Sequence, residues 1–107
     1  MDLTFDVDRR GEDTAIAISG EIDLQTAPAL RDLVDEMLAK GRTSIVLDMT
    51  GVTFLDSSGL GALLGIRREV QSAGGTLALT DLQAPVRKIL AITRMESAFD
   101  IRTATSD

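Results

Sequence analysis

The residues best suited to chemistry in this chain lie together in the segment Asp56-Ser57-Ser58-Gly59-Leu60-Gly61. The chain has no histidine and no cysteine. It therefore lacks an imidazole base, a thiol nucleophile, disulfides and the Cys/His ligands of zinc sites. A serine nucleophile here would need a lysine or a carboxylate as its base, and Asp56 is better suited to capping a helix or to being a surface acid. We predict no catalytic residue, no metal site and no enzyme activity.

The glycines near this segment superficially imitate a nucleotide-binding loop. Gly59, Gly61 and Gly65 are spaced G-x-G-x-x-x-G, so the third glycine comes one residue late for the dinucleotide fingerprint G-x-G-x-x-G. A chain of 107 residues also has no room for the two halves of a Rossmann domain. No Gly-Lys-Ser/Thr of a phosphate-binding P-loop is present. We therefore expect no nucleotide and no other cofactor.

The same glycines need a physical reason, because each glycine in a helix interior costs about 1 kcal/mol relative to alanine. Gly61 and Gly65 are four residues apart and share a helix face. One explanation is that they let a helix lie tightly on a sheet; the other is that they let another protein approach. Gly59, at the start of the helix, is expected to serve an exposed backbone turn.

The serines are best explained as residues on which another protein acts. Any one of Asp56, Ser57 and Ser58 would suffice as an N-cap. Three polar side chains in a row at a strand-to-helix junction exceed that need, and α/β proteins place their sites at such junctions. An exposed serine suits phosphorylation, which would add ~1.5 to 2 negative charges to the formal charge of −6.

The flanking segments predict one small α/β domain. Alternating or continuous apolar patterns predict strands, and the first two form a hairpin; they lie at 3–8, 14–19, 44–49, 76–80 and 98–102. Gly20-Glu21-Ile22-Asp23 is expected to end the second strand. Apolar stripes predict helices from Ala27, with Thr26 as N-cap, from Leu60 to Val70, and from Pro85. This order implies one mixed sheet with helices packed on it.

Composition limits the partners and the compartment. The chain is 44% apolar and 26% charged, which suits a single compact domain spanning 1–107. A net charge of −6 without a basic patch makes nucleic acid an unsuitable partner. No run of about 18 apolar residues and no signal-like start is present, so we expect no membrane contact and a cytoplasmic location. A small acidic protein is most simply a monomer.

Two motifs carry a resemblance to a known family. Gly20-Glu21-Ile22-Asp23 resembles the Gly-Glu-Leu/Ile-Asp signature of bacterial single-domain STAS proteins, and Phe54 to Gly61 resembles the phosphorylation-site motif of their anti-sigma factor antagonists. The resemblance covers nearly the whole chain. It implies an α/β fold with a small mixed sheet of about four to five strands and helices mainly on one side.

The resemblance also implies a partner-switching role. In that family the unphosphorylated antagonist binds an anti-sigma factor that is also a serine kinase, so that the sigma factor is released. The kinase uses ATP to phosphorylate the serine after the motif aspartate, here Ser57, and a PP2C-type phosphatase reverses this. Asp23 resembles a partner-contact residue, with a second N-cap as the alternative, and Asp56, Ser58 and Gly59 shape the loop.

Two further points follow from the resemblance. STAS domains also resemble constitutive subunits of stress-sensing scaffolds and of lipid-transport ATPase complexes, which is the alternative function. Many relatives carry a further C-terminal helix, whereas only the polar segment 103–107, expected to be frayed, follows Arg102 here. The short end leaves open whether the C-terminus contributes to an interface, and it does not affect the expected fold.

Overall fold

The computed structural model describes residues 2–102. They form one five-stranded sheet in which the spatial order of the strands is their order in the chain. The strands are β1 (Thr4–Arg10), β2 (Asp13–Ile22), β3 (Ser44–Leu55), β4 (Thr76–Thr80) and β5 (Asp100–Arg102). The helices are α1 (Ala27–Ala39), α2 (Ser57–Ser72) and α3 (Ala84–Ile92), with a short 3₁₀ turn at Glu96–Ala98. The predicted single α/β fold with a small mixed sheet is confirmed.

The pairing pattern explains why the helices share one side. β1 and β2 form an antiparallel hairpin, and the three remaining pairs are parallel. Each parallel pair is joined through a helix, and right-handed crossovers that all step in the same direction place their helices on one face of the sheet. Alternate residues on that face are fully buried, among them Ile16, Ile18, Leu47 and Met49. This apolar layer is the core that positions α1 and α2.

The second strand is longer than the sequence pattern predicts. Gly20 to Asp23 was expected to end it, but β2 continues to Ile22, with Glu21 opposite Phe54 and Ile22 opposite Leu55. Register shifts between Ala17 and Ser19 and between Gly20 and Glu21 interrupt the alternation, as β-bulges do. That interruption hides the last residues of the strand from a period-two pattern.

The other boundaries differ from the predictions in smaller ways. α1 and α3 each have proline in the first turn, as expected. The last strand is shorter than predicted, because Ala98 belongs to the 3₁₀ turn and the buried Phe99 separates that turn from β5. The predicted frayed segment 103–107 lies outside the described residues. Within residues 2–102, no helix is long and apolar enough to cross a bilayer.

All three helices end in the same hydrogen-bonded motif with a residue at positive φ. Gly41 and Gly74 supply that residue after α1 and α2, whereas α3 uses Arg94 at φ 59°. The Met95 N–H donates to the Leu90 carbonyl at 2.8 Å and the Arg94 N–H to the Ala91 carbonyl at 3.1 Å, which is the Schellman pattern. Arg94 therefore carries backbone strain that the two glycines avoid.

We predict that Arg94→Gly raises the free energy of unfolding by about 1 kcal/mol, because a left-handed conformation costs a residue with a Cβ about 1–2 kcal/mol. Urea unfolding measures the change. Arg94→Ala is the control, since it removes the charge and keeps the Cβ. An equal gain from both substitutions would trace the effect to the charge and contradict the strain argument.

Candidate functional site

The candidate site lies where β2 and β3 end side by side. Ile22 and Leu55 are paired at the carboxyl ends of the two parallel strands. The Asp56 N–H also donates to the Ile22 carbonyl at 3.4 Å. Asp23 and Asp56, which follow these two strands, therefore flank a common junction, as the carboxyl ends of parallel strands do in open α/β sheets. The two sequence motifs, whose residues Asp23 and Asp56 are 33 positions apart in the chain, meet here.

Asp56 fixes the start of α2. Its backbone is extended, and its carboxylate accepts a hydrogen bond from the Gly59 N–H at 2.8 Å. This is the N-cap that the sequence allowed for one residue of the Asp-Ser-Ser run. Because the carboxylate oxygen is held by the helix backbone, Asp56 contributes to local structure.

Ser57 is the first residue of α2, and its side chain is exposed. Among residues 2–102, the Ser57 hydroxyl has no hydrogen-bond partner, and Ser58 is half-buried beside it. Within the described part of the chain, no group of three or more acidic residues is arranged to hold a metal ion. The Ser57 oxygen is thus accessible and lacks an activating base in contact, so the arrangement suits a hydroxyl that receives a group from another protein.

The three glycines of α2 have different environments. Gly59 is buried, and a Cβ on it would overlap the Ile22 carbonyl oxygen and lie 2.6 Å from Leu55 Cδ1. The expectation that Gly59 serves an exposed turn is therefore wrong: the residue lets the first turn of α2 pack against the end of β2.

The packing explanation for the other two glycines needs the same correction. A Cβ on Gly65 would lie 3.2 Å from the Arg31 guanidinium carbon, so Gly65 approaches α1 rather than the sheet. A Cβ on Gly61 would meet nothing within 4 Å, and this glycine is exposed. Packing inside the described protein thus explains Gly59, gives Gly65 a close contact with the movable Arg31 side chain, and leaves Gly61 unexplained.

Asp23 caps the turn that joins β2 to α1. Its carboxylate accepts from the Gln25 N–H at 2.9 Å and from the Thr26 N–H at 3.0 Å. The Thr26 backbone hydrogen bond is the largest influence that lowers the pKa of Asp23 below the ordinary 3.8. Asp23 therefore caps the turn before α1 and is not the N-cap of the helix, a position that Thr26 occupies. Its role as a partner contact stays a prediction.

Thr26 has a role that the sequence did not predict. Its position at the start of α1 is as expected, but its side chain makes no cap hydrogen bond. The buried hydroxyl donates to the Glu21 carbonyl at 2.6 Å and accepts from the Asp23 N–H at 2.9 Å. Thr26 thus ties the turn back to the bulged end of β2.

Two exposed apolar side chains beside the junction were also missed. Leu24 is 73% exposed and Phe54 is 44% exposed. The available signals were an isolated leucine in a polar turn and two adjacent apolar residues, Phe54 and Leu55, where a half-buried strand should alternate. The acidic residues Glu21, Asp23 and Asp56 lie at or next to the same two strand ends, so the junction carries carboxylates as well as exposed apolar side chains.

We predict opposite effects of alanine at two neighbouring glycines. Gly59→Ala should lower the free energy of unfolding by about 2–3 kcal/mol, because the new Cβ overpacks the junction. Gly61→Ala should raise it by up to about 1 kcal/mol, because the Cβ has open space and improves helix propensity. Thermal and urea unfolding of the pair measure this; a destabilised Gly61→Ala or a neutral Gly59→Ala would contradict the assignment.

We predict a pH-dependent contribution from Asp23. Because its hydrogen bonds form only on folding, its folded-state pKa lies below the unfolded one. The stability it adds is therefore fully present above the ordinary value of 3.8 and is lost as pH falls through the lower folded-state pKa. NMR titration of the Asp23 carboxyl carbon checks the direction. Asp23→Asn, which keeps an acceptor oxygen and cannot titrate, should remove this part of the pH dependence; a midpoint at or above 3.8 would contradict the prediction.

Comparison with known proteins gives a consistent result. The family model described as the STAS domain matches residues 4–107. The chain is 31% identical over 101 residues to the anti-sigma-B factor antagonist of Bacillus subtilis, covering 94% of this chain and 92% of that protein. It is 32% identical over 91 residues to the anti-sigma F factor antagonist of Paenibacillus polymyxa, covering 84% of this chain and 78% of that protein.

Solved structures agree with the sequence relatives. The crystal structure of an anti-sigma factor antagonist from Mycobacterium paratuberculosis has a TM-score of 0.80 at 27% identity, covering 92% of this chain and 84% of that chain. The phosphorylated form of SpoIIAA, a Bacillus cell fate determinant, has a TM-score of 0.73 at 25% identity, covering 96% and 93%. With a family model that matches almost the whole chain and relatives that align along most of it, this protein belongs to the STAS domain family.

Proposed function

We propose that this protein is an anti-sigma factor antagonist controlled by phosphorylation of Ser57. Its unphosphorylated form binds an anti-sigma factor that is also a serine kinase, and this binding releases the sigma factor. The observation that carries the proposal is the exposed Ser57 hydroxyl, without a hydrogen-bond partner in the described chain, at the first position of a capped helix. Support comes from relatives named as anti-sigma factor antagonists and from SpoIIAA, whose structure is known in unphosphorylated and phosphorylated forms.

The proposed switch is local. The kinase transfers the terminal phosphoryl group of ATP to the Ser57 oxygen, the hydroxyl proton leaves to a base on the kinase, and ADP is the product. The phosphate adds ~1.5 to 2 negative charges beside the carboxylates of Asp23 and Asp56. The N-terminus of α2 tolerates an anion, so the site itself remains folded. The new charge and its hydration instead oppose burial of this surface against the partner.

The proposed partner surface is centred on Ser57, with Asp23, Asp56, Ser58 and Gly59 around it. The Asp23 carboxylate contacts the partner through lone pairs that its hydrogen bonds to the Gln25 and Thr26 N–H groups do not use. Asp56 and Gly59 support the surface through local structure. Asp56 caps α2, and Gly59 lets the first turn of α2 pack closely. The surface therefore depends on backbone placement as much as on exposed side chains.

The remaining parts of the proposal concern context. Residues 1–107 act as a single-domain, cytoplasmic monomer without enzyme activity of its own. The ATP site belongs to the kinase, and a PP2C-type phosphatase removes the phosphate. Nucleic acid and membranes are not partners, since the chain carries a formal net charge of −6.

We predict that the cognate kinase with ATP adds one phosphate to this protein at Ser57 and that Ser57→Ala abolishes the modification. Intact-mass and fragment mass spectrometry locate the phosphate. Ser58→Ala is the matched control, because it removes the adjacent hydroxyl and should leave phosphorylation intact. A phosphate on another residue, or none with the kinase that binds the protein, would contradict the assignment.

The switch itself is tested by calorimetry with authentic phosphoprotein. Phosphorylated protein should bind the kinase more weakly than unphosphorylated protein, by charge and desolvation. Equal affinity for both forms would argue against a switch. Stable recovery in a transporter complex or a large assembly, independent of phosphorylation, would instead favour the constitutive-subunit alternative.

A further inference from the structure

A shallow groove runs from the Ser57 surface between the first turns of α1 and α2. It has a volume of about 330 Å³. Leu24 and Pro28 line the α1 side, Ser58 and Gly61 line the α2 side, and Arg31 is part of its lining. Ser58 is the neighbour of Ser57 in the first turn of α2, so the groove begins close to the proposed phosphorylation site.

The first observation that assigns this groove to a partner is the open space beside Gly61. Gly59 is required by its contact with the Ile22 carbonyl, and a Cβ on Gly65 would press on the Arg31 guanidinium. Gly61 has open space where a Cβ would lie, so alanine would fit and would favour the helix. No contact within residues 2–102 therefore requires glycine at this position. The absence of a side chain leaves this part of α2 open to close contact by another molecule.

Leu24 is the second observation. It is 73% exposed, the most exposed of the large apolar side chains in the described chain, and it lies on the rim of the groove. Leu24 stands in a turn that Asp23 and Thr26 fix by hydrogen bonds, and folding leaves most of its surface in water. Its apolar surface is removed from water only when something covers the groove.

Arg31 gives the groove a charge. Its guanidinium packs over Gly65 and lies 3.5 Å from Glu69 Oε1, which is its ion-pair partner among the described residues. The side chain is still 45% exposed, and a guanidinium has five N–H donors in a rigid fork. Donors that Glu69 does not engage can receive a carboxylate from outside.

We propose that this groove holds a segment of the anti-sigma factor kinase in which an apolar side chain, packed against Leu24 and Gly61, is accompanied by a carboxylate that pairs with Arg31. The inference rests on the proposed function and specifies its partner: the segment docks beside Ser57 and brings the serine to the kinase active site. Binding strength then depends on residues that are not phosphorylated.

The test uses the purified kinase that phosphorylates Ser57, with binding measured by calorimetry. Gly61→Ala should weaken binding about tenfold even though it stabilises the fold, and Leu24→Ala should also weaken it about tenfold, more than most interface truncations do. Ser72→Ala is the control for helix propensity, since it lies at the exposed far end of α2. Ile92→Ala is the control for an exposed apolar residue, at 66% exposure on α3. Both controls should bind like the wild type.

The carboxylate is tested by Arg31→Lys and Arg31→Met. Arg31→Lys retains the positive charge and should keep part of the affinity. Arg31→Met removes the charge and should lose that part of the affinity, together with part of the salt dependence of binding. Wild-type affinity in Gly61→Ala and Leu24→Ala would overturn the groove assignment while leaving Ser57 as the switch. If wild-type protein binds no such kinase, the proposed function fails first and the groove assignment with it.

Discussion

The contact between the end of β2 and the first turn of α2 is the constraint on which the rest of the site depends. The Ile22 carbonyl oxygen accepts the Asp56 N–H and leaves no room for a side chain on Gly59. This contact exists only because β2 and β3 stay paired beyond the end of β4. Moving either strand end would displace the cap, the serine and the turn of Asp23 together.

Much of the fold follows from patterns that are local in the chain. Apolar periodicity predicted all five strands and all three helices, and the prolines in the first turns placed the starts of α1 and α3. The errors arose where geometry departs from periodicity. The bulges near Gly20 interrupt the period-two pattern and conceal the end of β2. The apolar Phe99 led to a predicted strand that starts before Asp100, where β5 begins.

The candidate site was predictable in its residue types but not in its contacts. Asp56 as a cap follows from spacing alone, because an N-cap acts on the next three residues. The difference between Gly59 and Gly61 does not, since it depends on whether Ile22 lies nearby, and Ile22 is far away in the sequence. Thr26 is a similar case: its hydroxyl serves a strand carbonyl rather than the helix it precedes.

The glycine content of α2 has a consequence for how Ser57 is recognised. The two interior glycines of this helix, Gly61 and Gly65, together cost about 2 kcal/mol of helix propensity, so the sequence around the serine would not hold this shape as a free peptide. Its helical first turn is maintained by the sheet, the cap and the neighbouring helix. The proposed kinase would therefore have to recognise the folded surface rather than a linear motif, and we expect it not to modify the unfolded protein.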